Sequence, residues 1–113
     1  MEENILIHVT DQDFKREILQ SEIPALVDFW APWCAPCYII APAVEEIAKK
    51  FSKRIKVAKV NVDESRAVPG RYGIMSIPTV MLFKDGKVLE QIVGVAPQSR
   101  LEELVQKILE STG

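Results

Sequence analysis

The spacing of apolar residues changes from segment to segment along the chain. In the N-terminal half this spacing predicts three strands. Ile5, Ile7 and Val9 alternate with other residues, which indicates a short strand. The segment 25–30 is almost continuously apolar, a pattern typical of a central strand that is buried on both faces. The segment 55–62 is rich in β-branched residues, so it also predicts a strand.

Helical periodicity separates these strands. The capping residues at 10–13 predict a helix that carries Phe14 and Ile18 inward. Apolar positions between 34 and 51 recur at i, i+3, i+4 and i+7, which predicts a long helix. Pro42 lies in the early part of that helix and is expected to kink it rather than to end it.

The C-terminal half predicts a hairpin followed by a helix. The segments 79–84 and 87–93 are strand-like, and they are joined by Asp85 and Gly86, which tolerate the positive φ of a two-residue turn. A last helix is predicted to begin near Pro97, because proline suits the first turn. Its buried positions again follow the i, i+3, i+4, i+7 spacing: Leu101, Leu104, Val105 and Ile108.

These elements together predict one fold class. The segment 63–72 is ambiguous, because Pro69 and Gly70 break any long helix. With a short helix there, the order is β-α-β-α-β-α-β-β-α. Early alternation of strands and helices predicts parallel strands, and the hairpin adds an antiparallel edge. We therefore expect an α/β protein with a central mixed five-stranded sheet, helices on both faces, and a single domain over 1–113.

Composition excludes several classes of protein. The chain has 113 residues, a net charge of −2, 48% hydrophobic and 27% charged residues, which is typical of an ordinary globular domain. Neither nucleic acid nor an anionic membrane would attract this charge, so neither is an expected partner. The acidic start at 1–4 does not resemble a secretory signal, and no window is apolar enough for a membrane span. We expect a cytoplasmic monomer.

The two cysteines are the candidate chemistry. They lie in Trp33-Cys34-Ala35-Pro36-Cys37, and random placement would produce a gap of three in roughly 2% of cases. A thiol in the first helical turn faces free N–H groups and the positive end of the helix dipole, which lower the pKa of Cys34. Cys37 is on the same helix face and lies deeper, so it is expected to be more shielded. Pro36 stiffens the turn at a position that needs no N–H.

Three interpretations of this pair remain open. A redox dithiol explains the spacing, the position and the absence of other cysteines. A metal half-site would need further ligands, yet His8 is the only histidine and has no partner at ligand spacing. Two inert core thiols would also be compatible with the counts. The redox interpretation is favoured, and no metal or bound cofactor is expected.

Five segments resemble the thioredoxin family in order and at family length. They are Val-Asp-Phe-Trp-Ala-Pro-Trp-Cys-Ala-Pro-Cys at 27–37, Ala-Pro at 41–42, Lys-Val-Asn-Val-Asp at 59–63, Gly-Ile-Met-Ser-Ile-Pro-Thr at 73–79 and Val-Gly at 93–94. Several spaced motifs are far more specific than the cysteine pair alone. The resemblance implies the thioredoxin fold and thiol–disulfide exchange with proteins, for which this family is the standard example.

The resemblance also implies roles for particular residues. Cys34 corresponds to the attacking nucleophile and Cys37 to the resolving thiol. Asp28 corresponds to the family's buried acid, and its apolar strand predicts a desolvated carboxyl with a raised pKa that suits proton transfer. Lys59 corresponds to the lysine near that acid, where its charge would offset the cost of burial. Pro78 corresponds to the family's cis-proline, which lies against the dithiol.

A docking surface and partners follow from the same resemblance. Trp33, Ile77, Pro78 and Gly94 correspond to the residues that face the substrate. The implied partners are a thioredoxin reductase of unknown type and proteins that contain disulfides. Other large apolar residues near these motifs are interpreted as packing: Phe29, Trp30, Met75 and Met81.

Two departures from the commonest family motif lie next to the cysteines. Ala35 stands where glycine is commonest, and Tyr38 replaces the basic residue that often follows the second cysteine. Loss of that positive charge is expected to raise the pKa of the neighbouring cysteine thiols slightly. Three other functions remain alternatives: a disulfide-forming or isomerising enzyme of the same fold, a glutaredoxin-like enzyme, and a non-enzymatic binding subunit.

Overall fold

A computed structural model describes residues 6–111 of the chain. Within that part, five strands form one sheet: β1 Leu6–His8, β2 Ala25–Trp30, β3 Lys56–Asn61, β4 Thr79–Lys84 and β5 Lys87–Val93. A π-helical turn and three α-helices complete it: the turn Lys15–Leu19, α1 Ala35–Lys50, α2 Ala67–Arg71 and α3 Gln98–Ser111.

The sheet is mixed, in the order β1-β3-β2-β4-β5. β3 pairs in parallel with β1 and β2, whereas β4 pairs antiparallel with β2 and β5. The central position of β2 explains its continuous apolar sequence, because both of its faces are covered. The predicted fold class is confirmed.

Helices cover the sheet on both faces. On one face α1 and α3 enclose a core that includes Leu26, Val57, Val80 and Leu82. On the other face the π-helical turn and α2 enclose Val27, Phe29, Val60, Met81 and Phe83. The alternation of neighbouring strand residues between these two cores is the period of two expected for a strand.

The strand bounds follow the sequence closely. β2, β4 and β5 have the predicted bounds. Val9 lies beyond the end of β1, although its N–H still donates to the Lys59 carbonyl, and Ile5 lies outside the described residues. β3 is one residue shorter at each end than predicted, and at its start the N–H of Ile55 donates back to the Phe51 carbonyl in the turn after α1.

The first predicted helix is only one turn long. The Asp13 carboxylate accepts the backbone N–H of Thr10 at 2.7 Å and begins the turn. The N–H of Gln20 then donates to the carbonyl of Lys15, an i to i+5 bond that gives the turn its π form. Phe14 and Ile18 are buried as predicted. The longer α1 continues past Pro42, also as predicted.

The ambiguous segment forms the short helix α2 around Pro69 and Gly70. Asp11 makes this possible, since its carboxylate accepts the N–H groups of Ala67 and Val68 at the start of the helix. That carboxylate comes from 56 residues earlier in the chain, so local propensity could not predict the helix.

The hairpin turn has the predicted geometry. Asp85 and Gly86 have φ of 54° and 78°, which matches the right-handed twist of the two strands. Beyond the hairpin, Pro97 precedes α3, and its carbonyl accepts the N–H groups of Arg100 and Leu101.

Candidate active site

The two cysteines lie where β2 gives way to α1. Cys34 is the N-cap of α1, and a disulfide joins it to Cys37 in the first turn. Only 3% of Cys34 and 2% of Cys37 is exposed. In the disulfide form both sulfurs lie with Ala31 in one small buried cluster, so the expected greater shielding of Cys37 stays a prediction for the dithiol form.

The start of α1 directs one backbone donor at Cys34. The N–H of Cys37 lies 3.2 Å from the sulfur of Cys34 and 3.1 Å from its carbonyl oxygen. The N–H of Cys34 in turn donates to the Ala31 carbonyl at 3.1 Å. Pro36 lies in the same turn, is exposed, and donates no hydrogen bond there. This arrangement can stabilise negative charge on the sulfur of Cys34.

The loop before β4 brings a backbone carbonyl to the disulfide. The peptide bond between Ile77 and Pro78 is cis, and the Ile77 carbonyl oxygen lies 3.8 Å from the sulfur of Cys34. The Pro78 carbonyl accepts the N–H of Gly94 at 2.8 Å. The structure thus brings together three residues that the sequence places 43 or more positions after Cys34.

Asp28 is completely buried on β2, as its apolar neighbours predict. Burial raises the pKa of its carboxyl to about 6, although the positive charge of Lys59 opposes the shift. Lys59 is the register partner of Asp28 on β3, and its ammonium lies 4.3 Å from the centroid of the Trp30 ring. Trp30 also packs against the disulfide cluster, so Lys59 and Trp30 lie between the strand position of the buried acid and the cysteines.

Trp33 stands at the edge of the site with 70% of its surface exposed. Its indole N–H donates to both carboxylate oxygens of Asp63, at 2.9 and 3.2 Å. Asp63 was not among the predicted site residues. The signal for it exists, because β3 runs parallel to β2 and therefore ends at the edge of the sheet where α1 begins.

A shallow groove of about 330 Å³ lies beside the disulfide. Its lining is mostly apolar: Trp33, Val62, Pro69, Ile74, Met75, Ser76 and Ile77. The prediction that Met75 packs in the core is wrong, since 94% of it is exposed. It lies in a loop, where no periodicity links residue type to burial. Phe29 and Met81 are buried as predicted, and Trp30 is half-buried.

Neither a membrane span nor a metal site is found among residues 6–111. No helix there is both long enough and apolar enough to cross a membrane. No three side chains of His, Cys, Asp or Glu in that range come together as metal ligands. His8, the histidine on β1, is exposed.

Comparison with known proteins decides the family. A family model described as thioredoxin matches residues 5–107. The chain belongs to the thioredoxin family. This agrees with the mixed sheet and with the cysteine pair at the start of α1, and it confirms the resemblance seen in the sequence.

Curated thioredoxins are similar over most of this chain. It is 54% identical to thioredoxin 1 of Synechococcus elongatus over 101 residues, which are 89% of this chain and 94% of that protein. It is 52% identical to a chloroplastic M-type thioredoxin of Chlamydomonas reinhardtii, over 89% of this chain and 72% of that protein. It is 42% identical to a thioredoxin of Haemophilus influenzae, over 90% of this chain and 95% of that protein. The chain is a thiol–disulfide oxidoreductase of the thioredoxin family.

Proposed function

We propose that the protein reduces disulfides in substrate proteins through Cys34 as nucleophile and Cys37 as resolving thiol. The Cys34 thiolate attacks one sulfur of a substrate disulfide and displaces the other as a thiolate, which leaves a mixed disulfide. The Cys37 sulfur then attacks Cys34, which forms the Cys34–Cys37 disulfide and releases the second substrate thiolate. Two electrons pass from the dithiol to the substrate.

The position of the Cys34 sulfur carries this proposal. It caps α1 with the Cys37 N–H directed at it, and it lies 3.8 Å from the Ile77 carbonyl oxygen beside an apolar groove. Trp33, Ile77, Pro78 and Gly94 form the docking surface in this proposal. An extended substrate segment can lie along that surface with its disulfide next to Cys34.

Asp28 accepts the proton of Cys37 in the resolving step through a bridging water molecule. Its pKa of about 6 leaves it mostly ionised at neutral pH but still basic enough to take a proton. Lys59 acts on Asp28 by its charge alone. Pro36 and Pro78 hold the two backbone segments on either side of the disulfide.

The partners are a thioredoxin reductase, which restores the dithiol, and proteins that contain disulfides. Family membership supports both partners. We also propose that the chain works as a one-domain monomer in the cytoplasm, a reducing compartment. Thioredoxins of cyanobacteria and a protein named as chloroplastic are both among its relatives. Neither nucleic acid nor membrane takes part in this function.

Trapping of mixed disulfides tests the two cysteine roles. The Cys37→Ser variant is expected to accumulate covalent adducts with an oxidised substrate protein, because Cys34 can attack but nothing resolves the product. The Cys34→Ser variant is expected to form none. Adducts are counted by non-reducing electrophoresis and mapped to one sulfur by mass spectrometry. Equal trapping by both variants, or by neither, contradicts the proposal.

The reduction potential of the Cys34–Cys37 couple tests the direction of electron flow. A reductase requires a value well below the roughly −180 mV of protein disulfide isomerase. A potential at or above that value would instead support the disulfide-forming or isomerising alternative. Turnover with candidate reductases, each with its own electron donor, is the matching functional assay.

A further inference from the structure

The hydroxyl of Tyr38 ties the first turn of α1 to the loop that carries Cys34. Tyr38 follows Cys37 directly, and its hydroxyl donates to the backbone carbonyl of Pro32 at 3.0 Å. Pro32 lies two residues before Cys34, and Tyr38 lies one residue after Cys37. The hydrogen bond therefore joins the two ends of the segment that contains both cysteines. Among the described residues, it is the only hydrogen bond that an α1 side chain donates to this loop. The family often has a basic residue at this position.

The ring of Tyr38 is held from a second side. It meets the ring of Trp30 edge to face, with centroids 6.2 Å apart and an interplanar angle of 83°. Trp30 is the last residue of β2 and packs against the disulfide cluster. The hydroxyl of Tyr38 is therefore aimed at Pro32 by contacts with the strand as well as with the helix.

We propose that Tyr38 is a positioning residue that favours closure of the Cys34–Cys37 disulfide. The proposal deepens the proposed function and rests on it. In this proposal the equilibrium between the dithiol and disulfide forms depends on Tyr38 as well as on the two cysteines.

Loop entropy gives the direction of this effect. In the disulfide form the bond between Cys34 and Cys37 already restricts the loop, so the Tyr38–Pro32 hydrogen bond costs little further freedom. In the dithiol form the same hydrogen bond must restrict a looser loop, and it costs more. The hydrogen bond is therefore more favourable in the disulfide form. By reciprocity it favours that form to the same degree.

Equilibration with glutathione measures the balance directly. Two thiols of the protein and one molecule of oxidised glutathione give the Cys34–Cys37 disulfide and two molecules of reduced glutathione. The fraction oxidised is read by alkylation and mass spectrometry. Tyr38→Phe removes only the hydroxyl, and because Tyr38 is exposed, the variant is expected to fold. Tyr72→Phe is the matched control, because that ring packs on Phe14 and Phe83 elsewhere in the molecule.

Only the difference in the stability of this hydrogen bond between the two forms enters the closure constant, so we expect the constant of Tyr38→Phe to fall by about twofold, and by no more than about tenfold. Tyr72→Phe is expected to leave the constant unchanged. An unchanged or increased constant in Tyr38→Phe overturns the proposal, and so does an equal fall in both variants. A purely structural role would lower the melting temperature of the oxidised and reduced forms equally and leave the constant unchanged. Failure of the cysteine roles would appear separately, as absence of trapped adducts in Cys37→Ser.

Discussion

Asp28 and Lys59 are register partners on parallel strands, but the Lys59 ammonium lies over the ring of Trp30. Neither oxygen of the Asp28 carboxylate accepts a hydrogen bond from any residue in the range 6–111. The lysine therefore acts on the acid through space, and it only partly offsets the effect of burial on the pKa of Asp28, which is about 6. An acid with that pKa changes its protonation state close to neutral pH, and three predictions depend on it.

The resolving step is expected to titrate with Asp28. Below pH 6 the carboxyl is mostly protonated and cannot take the proton of Cys37, so the rate should rise with pH and level off above about pH 6. Asp28→Asn should lose this inflection and react about 100-fold more slowly at pH 7. The measurement is the release of a dye-labelled peptide from a mixed disulfide at Cys34, followed from pH 5 to 8. An identical pH profile in Asp28→Asn would exclude the role in proton transfer.

The same burial makes Asp28 a cost to stability at neutral pH. Because its folded pKa of about 6 exceeds the ordinary value of 3.8, ionisation is penalised only in the folded state. The penalty is absent below pH 3.8, grows up to about pH 6 and is constant above it. Asp28→Asn should therefore raise the free energy of unfolding by about 2–3 kcal/mol at pH 8 and little at pH 4.

Urea unfolding of the oxidised protein at both pH values measures this difference. Asp85→Asn is the control, since its side chain is 77% exposed and asparagine tolerates the positive φ of that turn. A gain that is the same at pH 4 and pH 8 would show that the charge of Asp28 is not its cause.

The charge of Lys59 is expected to determine the pH at which the rate of the resolving step has its inflection. Lys59→Met keeps an unbranched stem over the Trp30 ring but removes the cation that lowers the pKa of Asp28. The inflection of the resolving rate should move to higher pH in this variant. Lys59→Arg retains the charge and should leave the inflection in place. Matching profiles for the Met and Arg variants would show that Lys59 does not act by charge.

Elements with a long apolar pattern could be predicted from the sequence almost to the residue. β2 has one apolar run because both faces are covered, and α3 has the spacing of one buried stripe. The π-helical turn and α2 could not be predicted in the same way. Their form depends on particular hydrogen bonds, such as those from Ala67 and Val68 to Asp11, far apart along the chain.

Some residues of the candidate site could also be predicted from the sequence, and others could not. Cys34, Cys37 and Asp28 could be recognised because each belongs to a motif or to a buried strand. The exposure of Met75 and the bond between Tyr38 and Pro32 could not, because both depend on the path of a loop, and residue type does not determine that path.

The hydrogen bond between Trp33 and Asp63 is expected to serve docking rather than chemistry. Asp63→Ala frees the exposed indole, so the ring must be ordered each time a substrate binds. We expect KM for a protein substrate to rise about three- to tenfold, whereas the rate with a small aromatic disulfide stays unchanged. Glu110→Ala removes the same charge from the exposed face of α3 and is the control. Equal losses with both substrates would place Asp63 in the chemical step instead.

Asp11 is expected to stabilise the segment that lines one side of the groove. Its carboxylate accepts the N–H groups of Val68 and Ala67 at 2.9 and 3.0 Å, next to the groove residue Pro69. Desolvation raises the pKa of Asp11, but these backbone hydrogen bonds outweigh it and hold the pKa below 3.8. The stabilisation is thus complete above pH 3.8 and is lost as the pH falls through the lower folded pKa.

Two variants separate the charge of Asp11 from its role as a cap. Asp11→Ala should lower the free energy of unfolding by about 1–2 kcal/mol at pH 7, and this loss should shrink as the pH falls from 4 to 3. Asp11→Asn keeps an acceptor oxygen, so its loss should be smaller and independent of pH. Urea unfolding at pH 7, 4 and 3 measures both. If neither variant loses stability at pH 7, the carboxylate of Asp11 does not hold α2.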